Sequence, residues 1–316
     1  MKTKHLLAAA CAAAALGFGL DSAIAGGEGW THDYEAAKKE AATGKKDLLL
    51  DFTGSDWCPP CIALSSKILS TEEFRTLTKD KFVLVELDFP KDKSKISEET
   101  AKQNGELLTK YAIEAYPTIF LCDAAGRPYA KTGFRPDEPK DYVTHLDELR
   151  GKKESFDKTL ADATKQEGTE RAEALIAALD TLELGEIAIG EFYGDVVNQI
   201  KAADPKDETG YAKKIDAAQK FAVFDKALRA FHEAEEPDWD AAMKLVDKTL
   251  AEKTFEGEKK QMVLLAKASI LATTNKFDDA IKLVDDARAA APGSQLAKQM
   301  DGFKKRLEEA KSAPKE

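Results

Sequence analysis

Over its first half the chain alternates short apolar runs with amphipathic stretches. Asp47–Phe52 (DLLLDF), Phe82–Asp88 (FVLVELD) and Thr118–Cys122 (TIFLC) have strand length and few polar positions, as expected of strands covered on both faces. Asp33–Ala42 predicts a helix broken by Gly44-Lys45-Lys46. Cys58–Leu69 predicts a helix opening on two prolines, and Glu98–Tyr111 an amphipathic helix after the charged loop Lys91–Lys95. A turn at Ala124–Arg127 leads into a fourth strand, Pro128–Phe134, and a helix at Asp141–Arg150 closes the unit. The order α-β-α-β-α-β-β-α predicts a mixed four-stranded sheet flanked by helices. Strands separated by helices would be parallel, and the closing hairpin would add an antiparallel edge. Residues 26–152 are expected to form this α/β unit and to fold alone.

Beyond Gly151 the pattern is helical throughout, rich in Ala, Lys, Glu, Asp and Leu. Trp239-Asp240-Ala241-Ala242-Met243 matches Phe277-Asp278-Asp279-Ala280-Ile281, with Ala230 and Ala268 at equivalent offsets in a preceding helix. The stretch Gln261–Ser294 resembles a tetratricopeptide repeat, a helix pair with small residues at its contacts. An all-α domain is therefore expected at 153–316, with tetratricopeptide-like repeats over about 221–294. The first copy lacks the closing proline, Phe156–Pro205 does not fit the repeat register, and a plain helical bundle is the alternative.

The first 25 residues change the picture of where the chain works. Lys2 and Lys4 precede an apolar stretch from Leu6 to Leu20, and Ala23-Ile24-Ala25 carries small residues at a signal-peptidase spacing. A secretory signal peptide is expected over 1–25. A membrane anchor or lipidation at Cys11 are the alternatives, and the apolar stretch is short for a membrane span. Removing the signal leaves three of the 4 cysteines, Cys58, Cys61 and Cys122. An exported, periplasmic chain lives where disulfides persist. Of 316 residues 43% are hydrophobic, and the net charge of −10 argues against nucleic acid or an anionic membrane surface as partner.

Trp57-Cys58-Pro59-Pro60-Cys61 carries the chemistry. Residues three apart share a helix face, so the two sulfurs can close a disulfide within one turn. At a helix start, unpaired N–H groups and the dipole favour a thiolate, the form that attacks disulfides. Cys58 is expected to be the exposed nucleophile and Cys61, one turn further in, the buried resolving thiol. The prolines are tolerated because first-turn N–H groups have no helical partner. A zinc site would need four ligands, and His5, His32, His145 and His232 are scattered; a structural disulfide closing so short a loop would stabilise little. Neither a metal nor any other cofactor is expected.

Together Leu48–Phe52, Asp56–Cys61, Tyr116-Pro117-Thr118, the Gly126 turn and Gly133 resemble the thioredoxin superfamily, and Asp51–Cys58 resembles its exported bacterial branch. The resemblance covers about 30–150. It implies a cis Tyr116–Pro117 bond facing the cysteine pair, with Tyr116 and Pro117 binding an extended substrate. Asp51 matches a buried acid that takes the Cys61 proton, although the loop to Cys58 is one residue longer than usual and Val83–Leu87 offers Glu86 in place of a lysine. Trp57 would cover the disulfide, and Cys122 would be a small buried hydrophobe or a partner-linking thiol.

The sequence thus predicts a thioredoxin fold followed by an all-α domain, acting as an exported reductase or isomerase of protein disulfides. Its helical region would hold a protein partner or filter substrates. With no N–H on Pro59 or Pro60 to support the Cys58 thiolate, and with Asp56 nearby, the dithiol should sit closer to thioredoxin than to strong oxidants, and a membrane electron donor would keep it reduced. An interaction module using the redox unit as a platform is the alternative; a peroxidase-like or cytochrome-maturation role is a third.

Overall fold

The structure, a computed structural model, describes residues 27–312; the expected signal segment, with Cys11, lies outside the described residues. A five-stranded sheet has the order β1-β3-β2-β4-β5. The strands are β1 (Trp30–Thr31), β2 (Asp47–Thr53), β3 (Phe82–Asp88), β4 (Thr118–Cys122) and β5 (Pro128–Gly133). Around them lie α1 (Tyr34–Gly44), α2 (Pro59–Leu64), α3 (Glu72–Thr78), α4 (Glu98–Lys110) and α5 (Pro139–Ala163). The helix expected over Cys58–Leu69 is α2 followed by a π-helical turn, Ser65–Leu69. Side chains cap several of these helices: Asp33 accepts from the Ala36 N–H, Thr71 from Phe74 and Ser97 from Thr100.

Two features correct the expected sheet. The two-residue β1 pairs parallel with β3 and adds a fifth strand, too short to carry a hydrophobic pattern. And β4 runs antiparallel to β2, with Phe52 opposite Thr118, where the helix between β3 and β4 had suggested a parallel partner. The loops flanking α4, 89–97 and 111–117, let the chain return to the end of the sheet it left. A helix between two strands permits a parallel partner but does not require one. The seven-residue α3 was also missed.

Alternate residues of β2 serve opposite cores. Leu49 packs with Leu64, Ile68 and Tyr142 on the α2/α5 side, and Leu48, Leu50 and Phe52 pack with Tyr34 and Tyr111 on the other. Asp51 shares the Leu49 face by the two-residue period of a strand.

Helix α5 is 25 residues long and passes unbroken through the expected boundary at 152. It is followed by α6 (Gly168–Asp180), α7 (Glu186–Phe192), α8 (Gly194–Ala203) and α9 (Tyr211–Glu233). Then come α10 (Trp239–Ala251), α11 (Gly257–Thr273), α12 (Phe277–Ala290) and α13 (Met300–Ser312). The core on the α2/α5 side continues through Phe156, Leu175, Tyr193, Val196 and Ile215. The Tyr193 hydroxyl donates to the Pro128 carbonyl at 2.7 Å, and the Arg127 guanidinium lies 3.9 Å from the Tyr193 ring centre. From Phe221 onward the helices build two separate cores, one around Phe224, Val246 and Phe255 and one around Ala268, Val284 and Met300.

Candidate active site

The chain leaves β2 through Gly54-Ser55-Asp56-Trp57 and enters α2 at Cys58. The Cys58 N–H donates to the Gly54 carbonyl at 3.0 Å, closing the turn. Ser55 is held by Asp88 at the end of β3, whose carboxylate accepts from the Ser55 N–H at 2.9 Å and from its hydroxyl at 2.6 Å. Gly54 is required by a close approach: a Cβ there would lie 2.5 Å from the Trp57 ring.

Cys58 is the N-cap of α2, extended at φ −98° and ψ 100°. It is bonded to Cys61 with an S–S distance of 2.10 Å. The Cys61 N–H donates to Cys58 Sγ at 3.3 Å, while the Ile62 N–H is taken by the Cys58 carbonyl at 3.0 Å. Pro59 and Pro60 have no N–H, so at this helix start the Cys61 amide is what reaches the sulfur. The expected contrast in exposure is corrected: Cys58 is 4% exposed and Cys61 2%. In the disulfide form both sulfurs are enclosed, so it is cap position, not solvent access, that distinguishes Cys58.

Trp57 is 37% exposed. Its Nε1 donates to the Phe89 carbonyl at 2.8 Å, and its ring meets Tyr116 edge-on at 5.6 Å. Phe89 in turn packs against Tyr116 at 5.4 Å and stacks on Phe52 at 6.5 Å. The Tyr116–Pro117 bond is cis. A Cβ on Gly133 would come within 2.8 Å of the Pro117 carbonyl, so glycine is needed where β5 passes this loop. Trp57 and Tyr116, expected at the site on different grounds, are thus brought together, and Phe89 joins them. Phe89 ends an apolar strand and draws no attention in sequence; its N–H donates to the Thr53 carbonyl at 2.9 Å, so it extends the β2–β3 pairing to the active-site end.

Asp56 is not a bare surface charge. Its carboxylate accepts from the N–H groups of Lys91 and Asp92 at 2.9 and 3.1 Å and pairs with Lys95 at 3.4 Å. These hydrogen bonds hold its carboxyl below the usual range.

Asp51 is 4% exposed and sits in register beside Glu86, itself 3% exposed. One Asp51 oxygen, Oδ1, is buried without a hydrogen bond among the described residues. Burial pushes this carboxyl well above the ordinary carboxylate range, and the charges of Glu86 and Asp88 add to the effect. His32 Nδ1 lies 3.7 Å from Glu86 Oε2 at the β1 edge. Cys122 is fully buried, its sulfur 3.9 Å from the Tyr111 hydroxyl. Among the described residues no group of three or more His, Cys, Asp or Glu side chains is arranged to hold a metal ion.

A family model described as a thioredoxin-like domain matches residues 34–148. The chain is 34% identical over 113 residues to a Chlamydia pneumoniae protein named disulfide bond reductase DsbH, covering 36% of this chain and 68% of that one. It is 31% identical over 104 residues to thioredoxin-related protein DsbJ of the same organism, covering 33% of this chain and 30% of the relative. A solved structure titled DsbH oxidoreductase matches at 32% identity and TM-score 0.36, covering 38% of this chain and 82% of that one. The relatives align over about a third of the chain, and the family-model match spans strands β2 to β5 and the Cys58–Cys61 pair. The chain belongs to the thioredoxin-like family, as a thiol–disulfide oxidoreductase.

Proposed function

We propose that the chain is an exported protein-disulfide reductase in which Cys58 attacks and Cys61 resolves. The observation that carries this reading is the Cys61 N–H directed at Cys58 Sγ from a helix N-terminus, since a backbone donor and the helix dipole both favour a thiolate at that sulfur. In the reduced protein the Cys58 thiolate attacks one sulfur of a substrate disulfide. A Cys58–substrate disulfide forms, and the other substrate sulfur leaves as a thiolate. Cys61 then loses its proton and attacks Cys58 Sγ; the Cys58–Cys61 bond forms as the second substrate thiolate leaves. The substrate gains two electrons and the protein is left as the disulfide seen here.

Asp51 receives the Cys61 proton in this scheme. A buried carboxylate with a raised pKa is a stronger base than a surface one and better matched to a thiol. Asp51 shares the Leu49 face of β2, which packs on Leu64 of α2 below the cysteines. Trp57, Tyr116 and Pro117 line the approach to the sulfurs, and Tyr116 and Pro117 bind the substrate main chain. The redox group is the dithiol itself, with no added cofactor or metal.

Export to the periplasm is supported by residues 1–25, and among the described residues no helix is long and apolar enough to cross a membrane. There a membrane electron donor would keep the dithiol reduced. Reductase is favoured over isomerase because a single backbone donor reaches Cys58 Sγ, which stabilises the thiolate less than in strong oxidants, and because the curated relative is named a reductase. Residues 153–316 are proposed to form the all-α part, with its tetratricopeptide-like repeats over 221–294.

Insulin reduction is the test: activity should be lost in Cys58→Ser. Equilibration against glutathione should give a potential nearer about −270 mV, the thioredoxin value, than about −120 mV. A potential above about −180 mV would identify an oxidant or isomerase. Insulin reduction unchanged by Cys58→Ser would leave the redox unit as a platform for an interaction module.

A further inference from the structure

An apolar cleft opens beside the aromatic group at the dithiol. Phe89, Ile96 and Ile113 form one side and Ile187, Phe221 and Met262 the other, enclosing about 660 Å³. A second hollow of about 380 Å³ continues it past Thr118 and Lys131, sharing Ile113, Ile187, Phe221 and Met262. Clefts of this size accommodate several side chains. One wall belongs to the thioredoxin-like unit and the other to helices α7, α9 and α11.

The helical wall is fixed in place. The Gln219 side chain donates to the Ile187 carbonyl at 2.8 Å, tying α9 to α7. Glu186 pairs with Lys214 of α9 at 3.2 Å and with Lys259 of α11 at 2.6 Å. Met262 stays 44% exposed among these apolar groups.

The near end of the cleft is continuous with the redox site. Phe89 lines the cleft, accepts the Trp57 indole N–H and packs on Tyr116. Arg229 of α9 is on the lining too. Its charge reaches the Tyr116 phenol, whose pKa burial has pushed up to about 12. A disulfide presented to Cys58 sits on a main chain that must cross Trp57 and Tyr116. An extended chain advances at most about 3.3–3.6 Å per residue, so a few residues carry it from there past Phe89.

We propose that this cleft binds the extended stretch of a substrate polypeptide flanking its target cysteine, seating apolar side chains between Phe89 and Met262. The helices that follow the catalytic unit thereby select the substrate. This rests on the oxidoreductase reading above.

The test compares single-disulfide peptides whose residues near the cysteine are Leu and Phe or are Ser and Gly, with hydroxyethyl disulfide as a substrate too small to reach the cleft. The full chain should prefer the apolar peptide by about tenfold in kcat/KM, the scale of burying one apolar side chain. Met262→Glu and, separately, Arg229→Glu should reduce that preference while leaving the rate on hydroxyethyl disulfide unchanged. Both positions are on the cleft rim and outside the dithiol machinery. No preference in the unsubstituted chain, or a preference kept in both variants, overturns the proposal. So does a dimer in sedimentation that Met262→Glu dissolves, because the occupant would then be a second copy. Failure of the underlying reading looks different: no disulfide of any size would be reduced.

Discussion

At the scale of residues, Asp51 carries the sharpest expectation. Its carboxyl is held well above the ordinary range by burial, with Glu86 and Asp88 adding to it. A group whose pKa is higher folded than unfolded contributes stability that is fully present below its unfolded value, about 4, and is lost as pH rises through the folded value. Asp51→Asn removes this dependence. The variant should therefore gain thermal stability relative to the parent as pH rises above about 4, while its rate of resolving a mixed disulfide falls by about a hundredfold. A variant less stable than the parent at the higher pH would show that the carboxylate is satisfied after all. The position of Asp51 could be read from the sequence because a polar residue in an apolar strand stands out. Phe89 and Gly54 could not, since each matters through contacts made across the fold: Phe89 gives its carbonyl to Trp57, and Gly54 gives that ring room. The burial of Cys58 was equally hidden, because helix position predicts a cap and says nothing of what covers it.

At the scale of elements, Asp56 holds the part of the loop after β3 that lies beyond Phe89. Asp56 accepts the N–H groups of Lys91 and Asp92 from the far side of the active-site turn. Asp56→Ala should accelerate amide exchange at Lys91 and Asp92 and leave the β2 amides protected. Equal exchange in both proteins would mean that the 3-10 turn Lys93–Lys95 holds the loop unaided. Strands β2, β3 and β4 were visible in sequence because doubly covered strands are written as continuous apolar runs. Strand direction was not, since β4 is reversed by loops whose lengths no hydrophobic pattern encodes. The short β1 was invisible for a simpler reason, having two residues and no period.

At the scale of the molecule, the core does not stop where the composition changes. Phe156, Tyr193 and Val196 cover the same apolar cluster as Tyr129 and Tyr142. Each such side chain is worth about 1.5–3 kcal/mol when buried, against a total stability of about 5–15 kcal/mol. A fragment of residues 27–152, which the sequence alone suggested would fold by itself, is therefore expected instead to aggregate or melt early. One of residues 27–205 should stay soluble and reduce hydroxyethyl disulfide at near the full rate. Equal melting temperatures for the two would show that helices α6 to α8 only lean on the catalytic unit.

Helix α5 makes the arrangement of the two halves a matter of phase. At about 1.5 Å per residue it is a strut about 37 Å long, with Gly151 exposed near its middle and nothing within 4 Å of where a Cβ would stand. Each residue added there turns everything downstream by about 100° around the helix axis while advancing it by only about 1.5 Å. Tyr193 would swing away from Pro128, and α9 from the rim beside Tyr116. A change in the length of this one helix, with no change to either half, would dismantle the substrate cleft while leaving both cysteines in place.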